Sequence, residues 1–390
     1  MIKRNIKLLK LSQLFSGMWP LSALLMVYFE TITDSYTIAT AVSSLALFVQ
    51  AVLEIPTGIL SDKIGRRKML LLSYLFFIVA SVLWAYASIH TQISWLFYGS
   101  FLYGISNALM SGTDRALIYE TMEELGEGDN FDKLFSKSWM YRFVGYTFGS
   151  LFAAVVTYYY PINVLAWLAV IPLAGAMSIT WFYVEPKRQK ETKIVNPFKH
   201  FRKAFGLMLS NKKLGIYLLM SVFADGFAVT MRRFDNVYFA SLIPLWLVSI
   251  TRMLKQLSGV IGFFFASSFK RLGYLKVYFG CYFTSSFVRL LGLLLNNPLT
   301  PFLMSILNLF FGTSETAKTD LLQHEFSKDQ RATMASIISL CSSLFSIIFM
   351  FGVGLLADTF SVWMALVISV LLRMILGFVF IRILKGEKAF

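Results

Sequence analysis

The segment GILSDKIGRRK, residues 58–68, connects two long apolar runs and decides how the whole chain is interpreted. Gly58 and Gly65 allow a close helix approach and a tight turn. Asp62 can cap or pair with a neighbouring helix end, while Arg66 and Arg67 can bridge to an acid such as Glu120. A short basic loop between apolar runs is typical of the inner face of a membrane protein.

The composition supports a membrane environment. Of 390 residues, 57% are hydrophobic and only 15% are charged, whereas soluble domains carry about 25% charged residues. The mean hydropathy is +0.66. The formal net charge of +15 suggests nucleic acid in a soluble protein. Here we expect a lipid bilayer and no nucleic acid as the surroundings, because the basic residues cluster between apolar runs.

Apolar runs of about 20 residues are long enough to cross a bilayer as helices. The chain contains twelve, so the sequence predicts an all-α membrane protein with two six-helix bundles related by pseudo-two-fold symmetry. The predicted domains are an N-terminal bundle (1–185), a cytoplasmic linker (186–213) and a C-terminal bundle (214–390). The predicted spans are 12–33, 37–60, 69–89, 93–119, 138–158, 163–184, 214–238, 243–269, 276–296, 301–322, 332–357 and 361–384.

The positions of the basic residues predict the orientation. With both termini inside, 26 of the 36 lysines and arginines fall on the inner side, and four outer turns hold none. This asymmetry follows the positive-inside rule. We expect a multi-pass protein with two cytoplasmic termini.

The two halves also share short motifs. Residues 266–276 in the second half match the pattern of residues 58–68, with Gly273 in the place of Gly65. Gly112-Thr113 has a counterpart in Gly312-Thr313. Six plus six spans around a long linker are the organisation of a two-bundle transporter.

The motif at residues 58–68 resembles the loop signature of the major facilitator superfamily, and the resemblance covers essentially the whole chain. Residues 53–57 (LEIPT), together with 331–336 (RATMAS), resemble its bacterial drug/proton-antiporter-like branch. The resemblance implies a gating network that latches the outward-open state, and we assign to it Gly58, Asp62, Gly65, Arg66, Arg67, Glu54 and Glu120. An ordinary positive-inside loop is the alternative.

Two features depart from the drug/proton antiporters. Ser100 stands where many of them carry an arginine, four residues before Gly104. In span five, Gly145-x-x-x-Gly149-Ser150 lacks their proline. Both departures weaken an assignment as a drug exporter.

Ionisable residues inside a membrane cost roughly 2.5–3.5 kcal/mol each on insertion scales, so each is a functional candidate. The proton-coupling candidates are Asp225, Glu315, Asp114 and Glu30. We favour Asp225, as a buried carboxylate without a fixed partner, and the alternative is a static salt bridge to Arg232 or Arg252. For Glu315 the alternative is a structural pair with Lys318, for Asp114 a shallow position beside Arg115, and for Glu30 a solvated outer position.

The second half is rich in intramembrane cations. The substrate-binding candidates are Arg232, Arg252, Lys255, Arg289 and Lys318. Arginines in a low-dielectric cavity suit a carboxylate or phosphate, which favours an anionic or zwitterionic solute. The alternative places Arg232 at headgroup level and Arg373 at the periphery.

The sequence therefore predicts a proton-coupled secondary active transporter that works by alternating access in the inner membrane, with no cofactor and no metal. Export of amphipathic compounds or drugs is the leading hypothesis, and uptake of an anionic metabolite or siderophore is the alternative. We expect a monomer whose partners are a small-molecule substrate, protons and lipid. There is no GxxxxGK[ST] loop, which disfavours an ATP-driven pump, and no nucleophile or metal motif, which disfavours an enzyme. No polar segment is long enough for the soluble output domain of a sensor, and the two-bundle layout suits alternating access better than a passive channel.

Overall fold

The computed structural model describes residues 2–186, 212–265, 273–325 and 328–386, and their long elements are all α-helices. The first half contains α1 (Arg4–Gly17), α2 (Leu25–Thr33), α3 (Tyr36–Ile64), α4 (Arg66–His90), α5 (Ile93–Met110), α6 (Thr113–Glu124), α7 (Phe131–Tyr159), α8 (Val164–Leu168) and α9 (Val170–Trp181). The second half contains α10 (Lys212–Leu242), α11 (Leu245–Phe265), α12 (Tyr274–Leu295), α13 (Thr300–Ser305), α14 (Asn308–Glu325), α15 (Lys328–Thr359) and α16 (Val362–Gly386).

Within the described residues, each of the twelve predicted spans coincides with one helix or with two successive helices. Span one is divided around a 3₁₀ turn at Pro20–Ala23, where proline removes a backbone donor. Span four is divided at Gly112, which adopts a φ of 74°. Seven helical stretches among the described residues are long and apolar enough to cross a membrane by themselves. The predicted all-α membrane fold is confirmed, with several spans interrupted.

The chain divides into two compact units. One comprises Met1–Glu191 with Leu245–Met253, and the other comprises Thr192–Pro244 with Leu254–Phe390. Within the first, α1 packs on α7 and α9, and α4 packs on α5 and α9. Within the second, α10 packs on α15 and α16, and α12 packs on α14 and α16. The same order of helix pairs is used twice, as expected for an internal repeat.

The glycines near the end of the two matching loops adopt similar backbone conformations. Gly65 (φ 112°, ψ 149°) precedes α4, and Gly273 (φ 83°, ψ 141°) precedes α12. The hydroxyl of Thr113 donates to the Leu109 carbonyl four residues earlier, across the break between α5 and α6. The hydroxyl of Thr313 likewise donates to the Leu309 carbonyl four residues earlier, within α14. These similarities support the sequence repeat at both places.

The repeat is incomplete at the neighbouring glycines. Gly112 breaks the first helix with a positive φ, whereas Gly312 lies inside the continuous helix α14. The Gly-Thr pairs therefore correspond in sequence but not in helix geometry. Residues 266–272 and almost all of the linker lie outside the described residues, as do the side chains of residues 331–336. The predicted domain boundaries consequently stay a prediction.

The glycines of span five have a packing role. A Cβ at Gly145 would lie 2.2 Å from the Leu14 carbonyl oxygen, and one at Gly17 would lie 2.3 Å from the Arg142 carbonyl oxygen. A Cβ at Gly149 would lie 2.9 Å from the carbonyl carbon of Met18. Because only hydrogen fits at these positions, the backbones of α1 and α7 meet directly.

Candidate functional site

The loop between α3 and α4 is organised around the Arg66 guanidinium. Its Nη2 lies 2.7 Å from an Asp62 carboxylate oxygen and 2.7 Å from Oε1 of Glu120, and its Nε donates to the same Glu120 oxygen at 3.0 Å. Its Nη1 donates to the Ser61 hydroxyl at 2.7 Å. The arginine fork thus connects the end of α3 to α6, in the way that a planar guanidinium permits.

Glu185 is a member of this network that the sequence analysis did not identify. Its two carboxylate oxygens accept the backbone N–H groups of Arg66 at 2.5 Å and Arg67 at 3.0 Å. These are among the N–H groups that a helix N-terminus leaves without an intrahelical partner, and a negative charge there is favourable. The Arg67 guanidinium lies over the Trp181 ring, 5.5 Å from its centroid. The signal in the sequence was a carboxylate directly after span six.

The other predicted gating residues occupy separate positions. The Ser111 hydroxyl donates to Oε1 of Glu54 at 2.9 Å. Glu54, on α3, thus binds a residue at the break between α5 and α6. Gly65 forms the expected turn. Gly58 does not show the expected close helix approach, since a Cβ built there meets no described atom within 4 Å.

The first unit contains one ionic pair near the start of α6. Asp114 lies 3.7 Å from Nη2 of Arg142, whose Nε donates to the Gln13 side chain at 2.5 Å. Asp114 also accepts the backbone N–H of Arg115. Glu30 is on α2, close to the left-handed Asp34 that ends the helix. Asp114 and Glu30 belong to the first unit, whereas Asp225 belongs to the second.

A cavity of about 80 Å³ lies within the second unit. Residues from α10, α12, α14 and α16 line it, together with Leu307 just before α14. Its ionisable lining residues are Asp225, Arg232, Tyr278, Tyr282, Arg289, Glu315, Lys318 and Arg373. Four cations therefore face two carboxylates around a space that holds a few water molecules or one small functional group.

Asp225 has a partner in this cavity, contrary to our expectation. Nζ of Lys318 lies 2.8 and 2.9 Å from the two Asp225 carboxylate oxygens and 3.4 Å from a Glu315 oxygen. The static partner we considered for Asp225 was an arginine, but the structure places a lysine there. The predicted Glu315–Lys318 contact is present as well. One ammonium group is thus shared by two carboxylates, of which Asp225 is 31% exposed and Glu315 37% exposed.

Asp235 is the second residue that the sequence analysis missed. It is fully buried, lies 2.7 Å from Nζ of Lys255, and forms a short ion pair with the Arg289 guanidinium. Lys255 and Arg289 are 2% and 5% exposed. One carboxylate therefore serves two buried cations from two other helices. The signal in the sequence was a second acid in span seven, ten residues after Asp225.

The remaining predicted cations are in different environments. Arg232 lines the cavity and lies 5.2 Å from the Phe311 ring centroid. Arg252 is on the part of α11 that belongs to the first unit, and neither Arg252 nor Lys255 is among the described residues that line the cavity. Arg373 does line the cavity, so the alternative that placed it at the periphery does not hold.

This unit thus holds a two-carboxylate, one-lysine cluster beside a cationic cavity inside a helical bundle. Ionisable groups placed in this way are typical of solute and proton pathways in membrane transporters. The chain belongs to the Major Facilitator Superfamily, which matches residues 11–349. The members of this family are membrane transporters, which confirms the expectation of a transporter rather than an enzyme, whereas the drug/proton-antiporter branch stays a prediction.

Two relatives are similar in sequence over part of their length. An uncharacterised MFS-type transporter, MJ1317 of Methanocaldococcus jannaschii, is 38% identical over 74 residues, which cover 19% of this chain and 18% of that protein. The uncharacterised transporter BU466 of Buchnera aphidicola is 24% identical over 225 residues, which cover 57% of this chain and 55% of that protein. The chain thus spans about a fifth and about half of these relatives.

Solved structures share the fold at low sequence identity. The nucleoside transporter NupG has a TM-score of 0.79 at 15% identity, covering 98% of this chain and 99% of that chain. A POT family transporter in complex with 5-aminolevulinic acid has a TM-score of 0.75 at 14% identity, with coverages of 98% and 96%. A D-xylose–proton symporter has a TM-score of 0.67 at 15% identity, with coverages of 94% and 96%. These similarities show the fold alone.

Proposed function

We propose that the chain is a proton-coupled secondary active transporter that moves a small organic solute by alternating access, with Asp225 as the coupling carboxylate. The observation that carries the proposal is the Lys318 ammonium, which Asp225 and Glu315 share at the edge of the cavity. A cation shared by two carboxylates responds to one proton, because protonating Asp225 weakens its hold on Lys318 and favours Glu315. Glu315 therefore acts as the second acceptor of the ammonium.

The cationic lining of the cavity favours one of the two candidate solute classes. Four cations against two carboxylates suit a carboxylate or phosphate group better than a lipophilic cation. Uptake of an anionic metabolite or siderophore thus gains support over export of amphipathic compounds or drugs. A deletion strain separates the two directions, because loss of an exporter confers sensitivity to toxic compounds and loss of an importer abolishes growth on one nutrient.

The network around Arg66 is proposed as the gating element. Arg66 ties Asp62 and Glu120 together, and Glu185 holds the backbone at the start of α4. These charge-assisted contacts lie within the first unit, and the resemblance of residues 58–68 to the family's loop motif supports their role as a latch at the predicted cytoplasmic face of an inner-membrane transporter.

The test uses the purified protein in liposomes with an imposed pH gradient. The solutes are those of the structural neighbours, namely a nucleoside, D-xylose and 5-aminolevulinic acid, together with benzoate and a lipophilic cationic dye. For each transported solute, Asp225→Asn is expected to abolish accumulation driven by the gradient and to preserve exchange of labelled for unlabelled solute, because asparagine cannot load a proton.

Asp34→Asn is the matched control. Asp34 is exposed at the end of α2 in a left-handed conformation, which asparagine also adopts. This variant is expected to behave as the unmodified protein in both assays. Gradient-driven accumulation that survives in Asp225→Asn would show that another group couples the proton.

A further inference from the structure

Three buried donor atoms around the cavity have no hydrogen-bond partner among the described residues. They are Nε of Arg289, Nε of Arg373 and the hydroxyl oxygen of Tyr278. All three side chains line the cavity of the second unit. Since roughly 90% or more of buried polar groups in proteins are hydrogen-bonded, three such atoms around one cavity indicate a missing acceptor.

The chemistry of these groups restricts what the acceptor is. A guanidinium has five donors and no acceptor, and a phenol adds one further donor. The partner must therefore present several lone pairs in a small volume, as the oxygens of a carboxylate or phosphate do. A neutral ligand with one carbonyl oxygen cannot satisfy all three donors.

The ion pairs around the cavity leave positive charge uncompensated. The Lys318 ammonium is held by Asp225 and Glu315, and Asp235 is divided between Lys255 and Arg289. Arg373 has no carboxylate partner in the described part of the chain. Its guanidinium lies 4.4 Å from the Tyr282 ring centroid, and its Nη2 donates to the Ser285 hydroxyl at 3.2 Å.

The two arginines are also fixed in position before any ligand arrives. The Tyr282 hydroxyl donates to the Arg373 carbonyl at 2.7 Å, so the same tyrosine positions both the backbone and the guanidinium of Arg373. Arg289 is held by Asp235, which is buried and is not among the described residues lining the cavity. Donors that are already ordered lose little entropy when an anion binds.

We propose that Arg289, Arg373 and Tyr278 form an oxyanion-binding subsite for the carboxylate or phosphate group of the transported solute. The proposal rests on the transport function proposed above and specifies its substrate class. The cavity of about 80 Å³ has room for such a group, which is the end of the solute that the subsite binds.

The test measures binding to the purified protein in detergent, without a gradient. The probes are benzoate, phenyl phosphate and neutral benzamide, whose dissociation constants are obtained by titration calorimetry. Arg373→Gln is expected to weaken binding of the preferred anion by about ten- to a hundredfold, because a hydrogen bond to a charged group is lost. Benzamide is expected to bind far more weakly than that anion.

Two further variants keep the result interpretable. Arg382→Gln makes the same change at an exposed position of α16 and is expected to leave anion binding unchanged. Tyr278→Phe removes only the buried hydroxyl, so it decides the matter if Arg373→Gln does not fold, and it is expected to weaken anion binding about two- to tenfold. A preference for phenyl phosphate assigns a phosphate to the solute, and a preference for benzoate assigns a carboxylate.

The subsite and the coupling mechanism fail in different ways. Equal binding of benzoate, phenyl phosphate and benzamide overturns the subsite, as does anion binding that is unchanged in both Arg373→Gln and Tyr278→Phe. Intact, Arg373-dependent anion binding in a protein that transports no solute in liposomes supports the subsite and overturns the transport proposal instead.

Discussion

Replacing Asp235 by asparagine is expected to destabilise the second unit strongly. The carboxylate is fully buried and is shared by Lys255 and Arg289, which are themselves 2% and 5% exposed. The variant Asp235→Asn leaves two buried cations with no compensating carboxylate from this residue. Removing one partner of a buried ion pair costs about 3–5 kcal/mol. For a unit of this size, that corresponds to a decrease of the thermal midpoint by about 6–20 °C.

The expected decrease of the thermal midpoint is tested with a second variant, which removes the cation of the ion pair instead of the carboxylate. In Lys255→Met, Asp235 still neutralises Arg289, and methionine fills much of the volume of the lysine stem. We therefore expect a smaller decrease for Lys255→Met than for Asp235→Asn, although both remove the same 2.7 Å contact. The double variant carries one unpaired cation fewer than Asp235→Asn, so its midpoint is expected to lie above that of Asp235→Asn.

The assay is intrinsic tryptophan fluorescence during heating of the purified protein in one detergent. The order of midpoints from highest to lowest is expected to be unmodified protein, Lys255→Met, double variant and Asp235→Asn. If Asp235→Asn melts at or above Lys255→Met, the charge argument for this buried cluster is wrong.

Two other substitutions test separate contacts. Gly145→Ala places a Cβ 2.2 Å from the Leu14 carbonyl oxygen and is expected to lower the thermal midpoint. Gly58→Ala is the control, because its Cβ meets no described atom within 4 Å, and it is expected to leave the midpoint unchanged. Equal midpoints of the two variants would contradict the close packing of α1 on α7. Arg66→Lys keeps the charge but loses the guanidinium fork that reaches Asp62 and Glu120. It is therefore expected to slow solute exchange in liposomes more than Arg67→Lys does. A slower exchange in Arg67→Lys than in Arg66→Lys would contradict the role of Arg66 in the proposed gate.

The sequence predicted the all-α membrane fold and the positions of its helices well, because the thickness of the bilayer dictates the length of the apolar runs. Residues 58–68 were informative because their charged side chains cannot lie within lipid, so they mark a loop between two spans. The turn at Gly65 follows directly from its sequence context, and it recurs at Gly273. These features depend on local sequence, which a single chain displays.

The partners of the charged residues were less predictable. Asp225 was expected to have no fixed partner, yet Lys318 reaches it from another helix, 93 positions along the chain. Asp235 was missed because its partners are on two other helices, and only their rotation and depth bring them together. Glu185 was taken only as the end of a domain. Contacts of this kind depend on helix packing, which hydropathy does not encode.

The direct backbone contact between α1 and α7 has a mechanical consequence. Side chains at an interface can change rotamer and allow two helices to slide, but Gly17 and Gly145 present none to each other. We therefore expect the two helices to move together as one rigid body. We expect bending within the first unit to occur elsewhere, at the interruption between α5 and α6, where Gly112 can change its backbone angles without a steric penalty.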